Sequence, residues 1–347
     1  MRIDKNWIIG VGIVFLIALF SNYLSSLEIF KKLAISPLVI GIVIGAILAN
    51  SIYKFLTPYE SGFIFSGKKI LRFAIIFYGF RITLQEILDV GLSGFLSALI
   101  MVTTTFITGY IVGKRIVKLD QDSSILISSG ASICGAAAVL ATEPVVKASE
   151  EKVAIAVSMV VLFGTISLFF YPILYNFLVD SKVSIFSLDP KGFGIYTGAT
   201  VHEVAQVVAI GSINGADTIM AKSAVIVKMS RVLLIAPFLI LLGIYLLKRN
   251  RSLQNSSSKI TIPWFAIFFI VVACFNSLDI LPKKSVELIN NIDTFLLTMA
   301  MSALGLHTRF SKFKAFGIKP LYLASILYIW LVVGGFFVVK LLRSYLG

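Results

Sequence analysis

The sequence predicts an all-α, polytopic membrane protein of about 9–11 transmembrane helices, with inverted repeats and two broken or re-entrant segments. Three observations lead there. The 347 residues are 58% apolar and 14% charged, whereas soluble domains run nearer half apolar and about a quarter charged. Apolar runs recur at the roughly 20 residues that cross a hydrocarbon core. Two long stretches of the chain also align with each other without a gap.

The chain opens with MRIDKNW and an apolar run over 8–20, the outline of a signal peptide. The following SNYLSS lacks a small-residue cleavage pattern, so residues 1–30 read as an extra, retained N-terminal helix spanning 7–24. Further spans fall at 35–55, 92–112, 153–178, 219–247, 260–280 and 318–342, with less pure ones at 70–88 and 292–310. Lys and Arg number 31 against 17 Asp and Glu, but the basic residues sit in short loops. These are Lys114, Arg115 and Lys118; Lys248, Arg249 and Arg251; Arg309, Lys312 and Lys314. Alternate loops such as 85–91 are acidic or neutral. That asymmetry predicts a cytoplasmic N-terminus and makes the charge a topology signal, with no nucleic-acid partner. Cys134 and Cys274 both stand in apolar surroundings and predict no disulfide.

A shift of 226 sets Pro37 on Pro263, Ile44 on Ile270 and Asn50-Ser51 on Asn276-Ser277. Ala74, Gly79, Gly91, Ala98, Gly109 and Lys114 then fall on Ala300, Gly305, Gly317, Ala324, Gly335 and Lys340. A second shift, of 68, sets Ser129-Gly130-Ala131-Ser132 on Thr197-Gly198-Ala199-Thr200. The chain therefore divides into a first repeat half, 31–180, with a motif segment at 122–148, and a second, 181–347, with a motif segment at 189–211. Many secondary transporters are built this way, with the substrate near the midplane between repeats. The charged loops fit motif segments that cross the membrane as well as ones that re-enter.

Each motif segment is too small and polar for an ordinary span. Gly130 and Gly198 can break a helix, and Ser132 or Thr200, two residues on, can cap a new one beginning at Ile133 or Val201. The first amides of such helices lack intrahelical partners and carry partial positive charge, so two of them facing each other would bind an anion. One small-residue stretch alone reads as close helix packing, as Gly41-x-x-x-Gly45 does; two copies with the same cap read as a site. His202 and Glu203 replace Cys134 and Gly135 of the first copy, so ionisable chemistry sits on one side only. Either can carry a coupling proton. Gln206 shares a helix face with Glu203.

Lys222, Lys228 and Arg231 lie on the next span, and the last two share a face. Lys222 reads as snorkelling to an interface; Lys228 and Arg231 either hold an oxyanion or neutralise Glu203. Arg81 and His307, equivalent under the first shift, are second-tier site candidates. Two patterns are decoys. Gly62-x-x-x-x-Gly67-Lys68-Lys69 lacks the Ser or Thr of a phosphate loop, and His202-Glu203-x-x-Gln206 lacks the second histidine of a zinc protease. No metal, no cofactor and no enzymatic reaction are expected.

The strings SGASICGAAAVLATEPVVKA (129–148), TVHEVAQVVAIG (200–211) and KMSRVLLIAPFLILL (228–242) resemble the YeiH family of bacterial inner-membrane proteins. That family is commonly labelled as sulfate exporters, by inference. It is similar in architecture to inverted-repeat carriers of the bile acid/sodium symporter and sodium/proton antiporter type, whose unwound helices cross at the substrate site. The resemblance implies substrate-binding positions at Ser132, Ile133, Cys134, Gly135, Thr200, Val201, His202, Glu203, Gln206, Lys228 and Arg231. The function expected is secondary transport of a small oxyanion such as sulfate, sulfite or an organosulfur anion, coupled through Glu203 and His202 to protons, with sodium as the other coupling ion left open. An anion channel is the rival reading, and an intramembrane enzyme a weaker one. The expected location is the bacterial cytoplasmic membrane, and a homodimer stays open.

Overall fold

The computed structural model describes residues 4–28, 30, 36–179, 187–249, 264–308 and 317–346. Pro263, Arg251, Arg309, Lys312 and Lys314, the boundaries at 30/31 and 180/181, and parts of the spans expected at 35–55, 260–280 and 292–310 lie outside the described residues. Among the described residues every element is helical. In chain order they are α1 (Lys5–Ser26), α2 (Pro37–Ser51), α3 (Lys54–Arg81), α4 (Leu84–Ile111), α5 (Gln121–Ser132), α6 (Ala136–Val146) and α7 (Glu150–Val179). There follow α8 (Pro190–Thr200), α9 (Val204–Gly211), α10 (Ile219–Leu233), α11 (Ile235–Arg249), α12 (Trp264–Asn276), α13 (Lys283–His307), α14 (Ile318–Ile329) and α15 (Gly335–Leu346).

Five helical stretches are long and apolar enough to cross a membrane: Lys5–Ser26, Leu84–Ile116, Glu151–Val179, Ile219–Leu246 and Ile318–Leu346. The pair α2 and α3, bent by 103°, would make a sixth. Ala136–Val146, Val204–Asn214 and Ile267–Asn276 are apolar but shorter. The chain is an all-α polytopic membrane protein.

Two compact units emerge. The first comprises 1–88, 211–218 and 265–311; the second comprises 89–210, 219–264 and 312–347. In the first, α1 starts at Asp4, whose carboxylate accepts from the Trp7 amide at 2.7 Å. A side chain at Gly62 would meet the Val11 amide at 2.6 Å, so this glycine of the phosphate-loop decoy is a packing residue. The stretch carrying Lys68 and Lys69 is a helical turn, 66–70, and not a loop. Gly41 and Gly45 of α2 lie against α13, where a side chain at Gly45 would meet Gly305 at 3.0 Å.

Three pairs of positions equivalent under the shift of 226 behave alike. Asn50 donates from Nδ2 to the Thr308 carbonyl at 2.8 Å, and its equivalent Asn276 donates to the Ile82 carbonyl at 3.2 Å. Ile82 and Thr308 are themselves equivalent under the shift of 226, so the two contacts are reciprocal, as a two-fold relation requires. Gly91 and Gly317, another equivalent pair, both hold positive φ, 59° and 76°.

In the second unit α5 is capped by Asp120, which accepts from the Ser123 amide at 3.2 Å, and α8 by Asp189, which accepts from the Gly192 amide at 3.1 Å. Lys152 pairs with Asp120 at 2.6 Å, and Arg343 with Asp189. Burial pushes the Asp120 carboxyl up, but hydrogen bonds from Lys152 and Ser123 outweigh it and hold the group below the ordinary carboxylate range.

Candidate functional site

Two helix breaks dominate the second unit. The first, at 133–135, separates α5 from α6; the second, at 201–203, separates α8 from α9. They are equivalent under the shift of 68. Neither occurs where the sequence suggests. Both helices run unbroken through Gly130 and Gly198 and end two residues later, at Ser132 and Thr200. The two glycines serve packing: a side chain at Gly130 would meet Val139 and Val160 at 2.7 Å, and one at Gly198 would meet Val227 at 2.9 Å.

Nor do Ser132 and Thr200 cap the following helices. Ser132 donates back to the Ser129 carbonyl at 3.3 Å and Thr200 to the Tyr196 carbonyl at 2.5 Å, closing the last turn of the helix each belongs to. Thr200 also accepts from the Tyr171 hydroxyl at 2.7 Å. The breaks themselves come from backbone torsion. Ile133 has φ −109° and ψ −87°, Gly135 has φ 75° and ψ −137°, and Val201 is extended at φ −70° and ψ 146°.

Breaking a helix inside a bilayer strands carbonyls as well as amides. Lys228 and Arg231 of α10 satisfy the carbonyl side. Lys228 Nζ donates to the carbonyls of Ile133 (2.9 Å), Val201 (2.8 Å) and His202 (2.6 Å). Arg231 donates from Nε and Nη2 to Ser132 (3.2 and 2.6 Å), from Nη2 to Ala131 (3.2 Å), and from Nη1 to Gly198 (3.2 Å) and Val201 (3.1 Å). Both side chains are fully buried. An ammonium has three N–H groups and a guanidinium five, so neither cation has a donor left for an oxyanion in this arrangement. Their place is at the negative ends of α5 and α8, linking the two breaks. This corrects the expectation that they grip the substrate.

The amide side is different. Glu203 Oε1 accepts from the Ala136 amide, the first of α6, at the long distance of 3.4 Å. A side chain at Gly135 would meet Glu203 Cγ at 2.6 Å, so the glycine admits both the positive φ and the neighbouring carboxylate. The Glu203 amide in turn donates to Gln206 Oε1 at 3.1 Å, one arm of a capping box at the start of α9. Gln206 Nε2 and His202 Nδ1 are buried without a partner. His202 lies parallel to the Tyr328 ring, centroids 6.2 Å apart. Glu203, Ala136 and Ala137 are half-buried, whereas Ser132, Ile133, Cys134, Gly135, Thr200, Val201, His202 and Gln206 are buried.

The breaks thus gather all eleven first-tier residues in the second unit. Arg81 and His307 belong to the first unit, where Arg81 is engaged by Asp217, Asp293, Asn290 and Thr294. Sequence reading missed the Ala136 amide, which has no side-chain signature. It also missed Gly164, where any side chain would collide with the Gln206 amide.

A family profile described as conserved hypothetical protein 698 matches residues 9–324. The chain belongs to that family. It is 46% identical over 330 residues to a UPF0324 membrane protein of Haemophilus influenzae, covering 95% of each chain. It is also 48% identical over 301 residues to the UPF0324 inner membrane protein YeiH of Escherichia coli K12, covering 86% of this chain and 84% of that one. A UPF0324 membrane protein of Bacteroides thetaiotaomicron is 46% identical over 341 residues, 96% of this chain and 98% of the relative. No solved structure matches the chain.

Proposed function

We propose that the chain is a secondary transporter carrying a small oxyanion of the sulfate or sulfite kind across the bacterial inner membrane, together with protons and by alternating access. The observation that supports this reading best is the half-buried Glu203 carboxylate at the Ala136 amide, between two helix breaks. A broken helix at membrane depth is tolerated only where protein covers it or a polar cavity meets it. The carbonyl ends are covered by Lys228 and Arg231; among the described residues, the first amide of α6 is met by one long contact from a carboxylate.

That contact suggests how proton and anion are linked. An ionised Glu203 stands as a tethered anion at the positive end of α6 and repels a second one. On protonation it loses its charge, the Ala136 amide is released, and an oxyanion can take the vacated position. Proton and anion then move in the same direction. His202, with its unpartnered Nδ1, is the second coupling group. The N-terminus lies in the cytoplasm, as the basic loops imply. No reaction on the substrate is part of this reading.

Flux of radiolabelled sulfate and sulfite into proteoliposomes under an imposed pH gradient tests it. Uptake driven by the gradient in the wild type, with Glu203→Gln transporting independently of pH, is expected. Conduction indifferent to the gradient, faster than carrier turnover, would assign the chain to channels.

A further inference from the structure

The first unit contains a second buried ionisable cluster, none of whose residues belongs to either break. Arg81, at the end of α3, is buried. It donates to Asp217 at 3.2 Å, to Thr294 Oγ1 at 2.7 Å and to the Asn290 carbonyl, and reaches Asp293 Oδ2 only at 3.5 Å. Its guanidinium lies over the Tyr78 ring, 5.4 Å from the centroid, and the Tyr78 hydroxyl donates to the Ala216 carbonyl at 3.2 Å. The two carboxylates are unlike each other. The Asp217 side chain is 70% exposed and that of Asp293 is 0% exposed.

An ionised carboxylate offers about four acceptor positions and is expensive to bury unless they are used. Asp293 has one contact at the limit of hydrogen-bond length, and its Oδ1 has no partner. One turn away on the same face of α13, the buried Asn290 Oδ1 has no partner either. Two buried acceptors without a donor between them call for a hydrogen. The surroundings agree: one guanidinium stands against two carboxyl groups, of which Asp293 is the one shut away from water. Arg81 is the charged group bonded to Asp293, the Tyr78 phenol interacts with it directly, Asp217 bears on it through Arg81, and α2, packed on α13, has no titratable side chain.

We propose that Asp293 is a proton-binding site, its carboxyl hydrogen on Oδ1 facing the Asn290 side-chain oxygen while Arg81 pairs with Asp217. The cycle is a simple protonation: the carboxylate gains one proton from water, and on its loss Arg81 moves to share itself between two ionised aspartates. The site is independent of the anion reading, because it is observed on the proton itself rather than on transport.

Infrared difference spectroscopy of the full chain in lipid, between acid and alkaline buffer, tests it. Expected is a protonated-carboxyl C=O band that titrates in one step, shifts on aspartate 13C labelling, and is absent from Asp293→Asn. Asp217→Asn should keep the band but move its midpoint down by roughly one pH unit, since Arg81 then serves Asp293 alone. A wild type without a labelled-aspartate band, as when Asn290 presents its amide nitrogen instead, overturns the proposal. So does a band that survives Asp293→Asn, or one abolished by sodium at fixed pH. If Asp293→Asn does not fold, the 13C shift in the wild type and the midpoint in Asp217→Asn decide.

Discussion

The break at 133–135 and the break at 201–203 share a length, a preceding small-residue helix and the same two cations, yet they do opposite things with charge. At the first, Gly135 leaves the start of α6 bare, with no side chain of its own to cap it. At the second, Glu203 stands in the equivalent position and its amide is capped by Gln206; the residue equivalent to Gln206 in the first break is Ala138. The carboxylate of one break therefore serves the empty helix end of the other. The difference teaches that the two segments agree where Lys228 and Arg231 hold carbonyls and diverge at the following helix start. The features the two breaks share hold the backbone; the unshared His202-Glu203 pair is where the transport proposal puts its proton.

Substitutions can break this division. The largest effect should come from removing what the two breaks share: Arg231→Met or Lys228→Met strands carbonyls of both, costing roughly 3 kcal/mol or more. Thermal unfolding in detergent would show it, and an unchanged transition would mean that the cations do not hold the breaks. Gly135→Ala forces positive φ on an alanine and drives its Cβ against Glu203 Cγ, for about 2–3 kcal/mol. Gly91→Ala is the control: its φ is also positive, but nothing lies within 4 Å of the added carbon, so it should cost about 1 kcal/mol. If the two alanines melt alike, the contact with Glu203 is not the reason for the glycine.

Gln206→Ala tests the second break alone, with an expected loss of about 1 kcal/mol of capping energy. Glu203→Gln should alter pH dependence of flux far more than the melting temperature. Smallest is Lys152→Ala, which removes a partly exposed ion pair at a helix start, for less than about 1 kcal/mol. Asp120 is held below its unfolded pKa, so its contribution is present above about pH 4 and disappears only as pH falls through the lower folded value. At neutral pH that contribution should therefore be flat in a stability–pH profile, and a slope there would point to another group.

The helical membrane class, the longest spans and the presence of a break in each motif segment were legible because apolar length and small polar runs depend on local sequence. Gly41-x-x-x-Gly45 could even be assigned to packing. The placing of the breaks was not legible, since glycine is tolerated within a helix and a serine or threonine hydroxyl can bond backward as readily as forward. What decides between these is the pair Lys228 and Arg231, dozens of residues away, which rewards a carbonyl end at 131–133 and 201–202. The same two residues misled for the same reason: a buried cation near small polar residues resembles an anion site until its acceptors are known. Asp293 did leave a trace, a lone acid three residues after an asparagine in an apolar run, but its missing hydrogen bond is visible only in three dimensions.

The exchanged contacts of Asn50 and Asn276 bear on how the molecule can come into being. Each copy of the hairpin finishes the other's final turn, so during synthesis the earlier copy must wait, its exit unsealed, until more than two hundred residues later its twin arrives. Severing the chain in the middle would leave two pieces that can close only in each other's company.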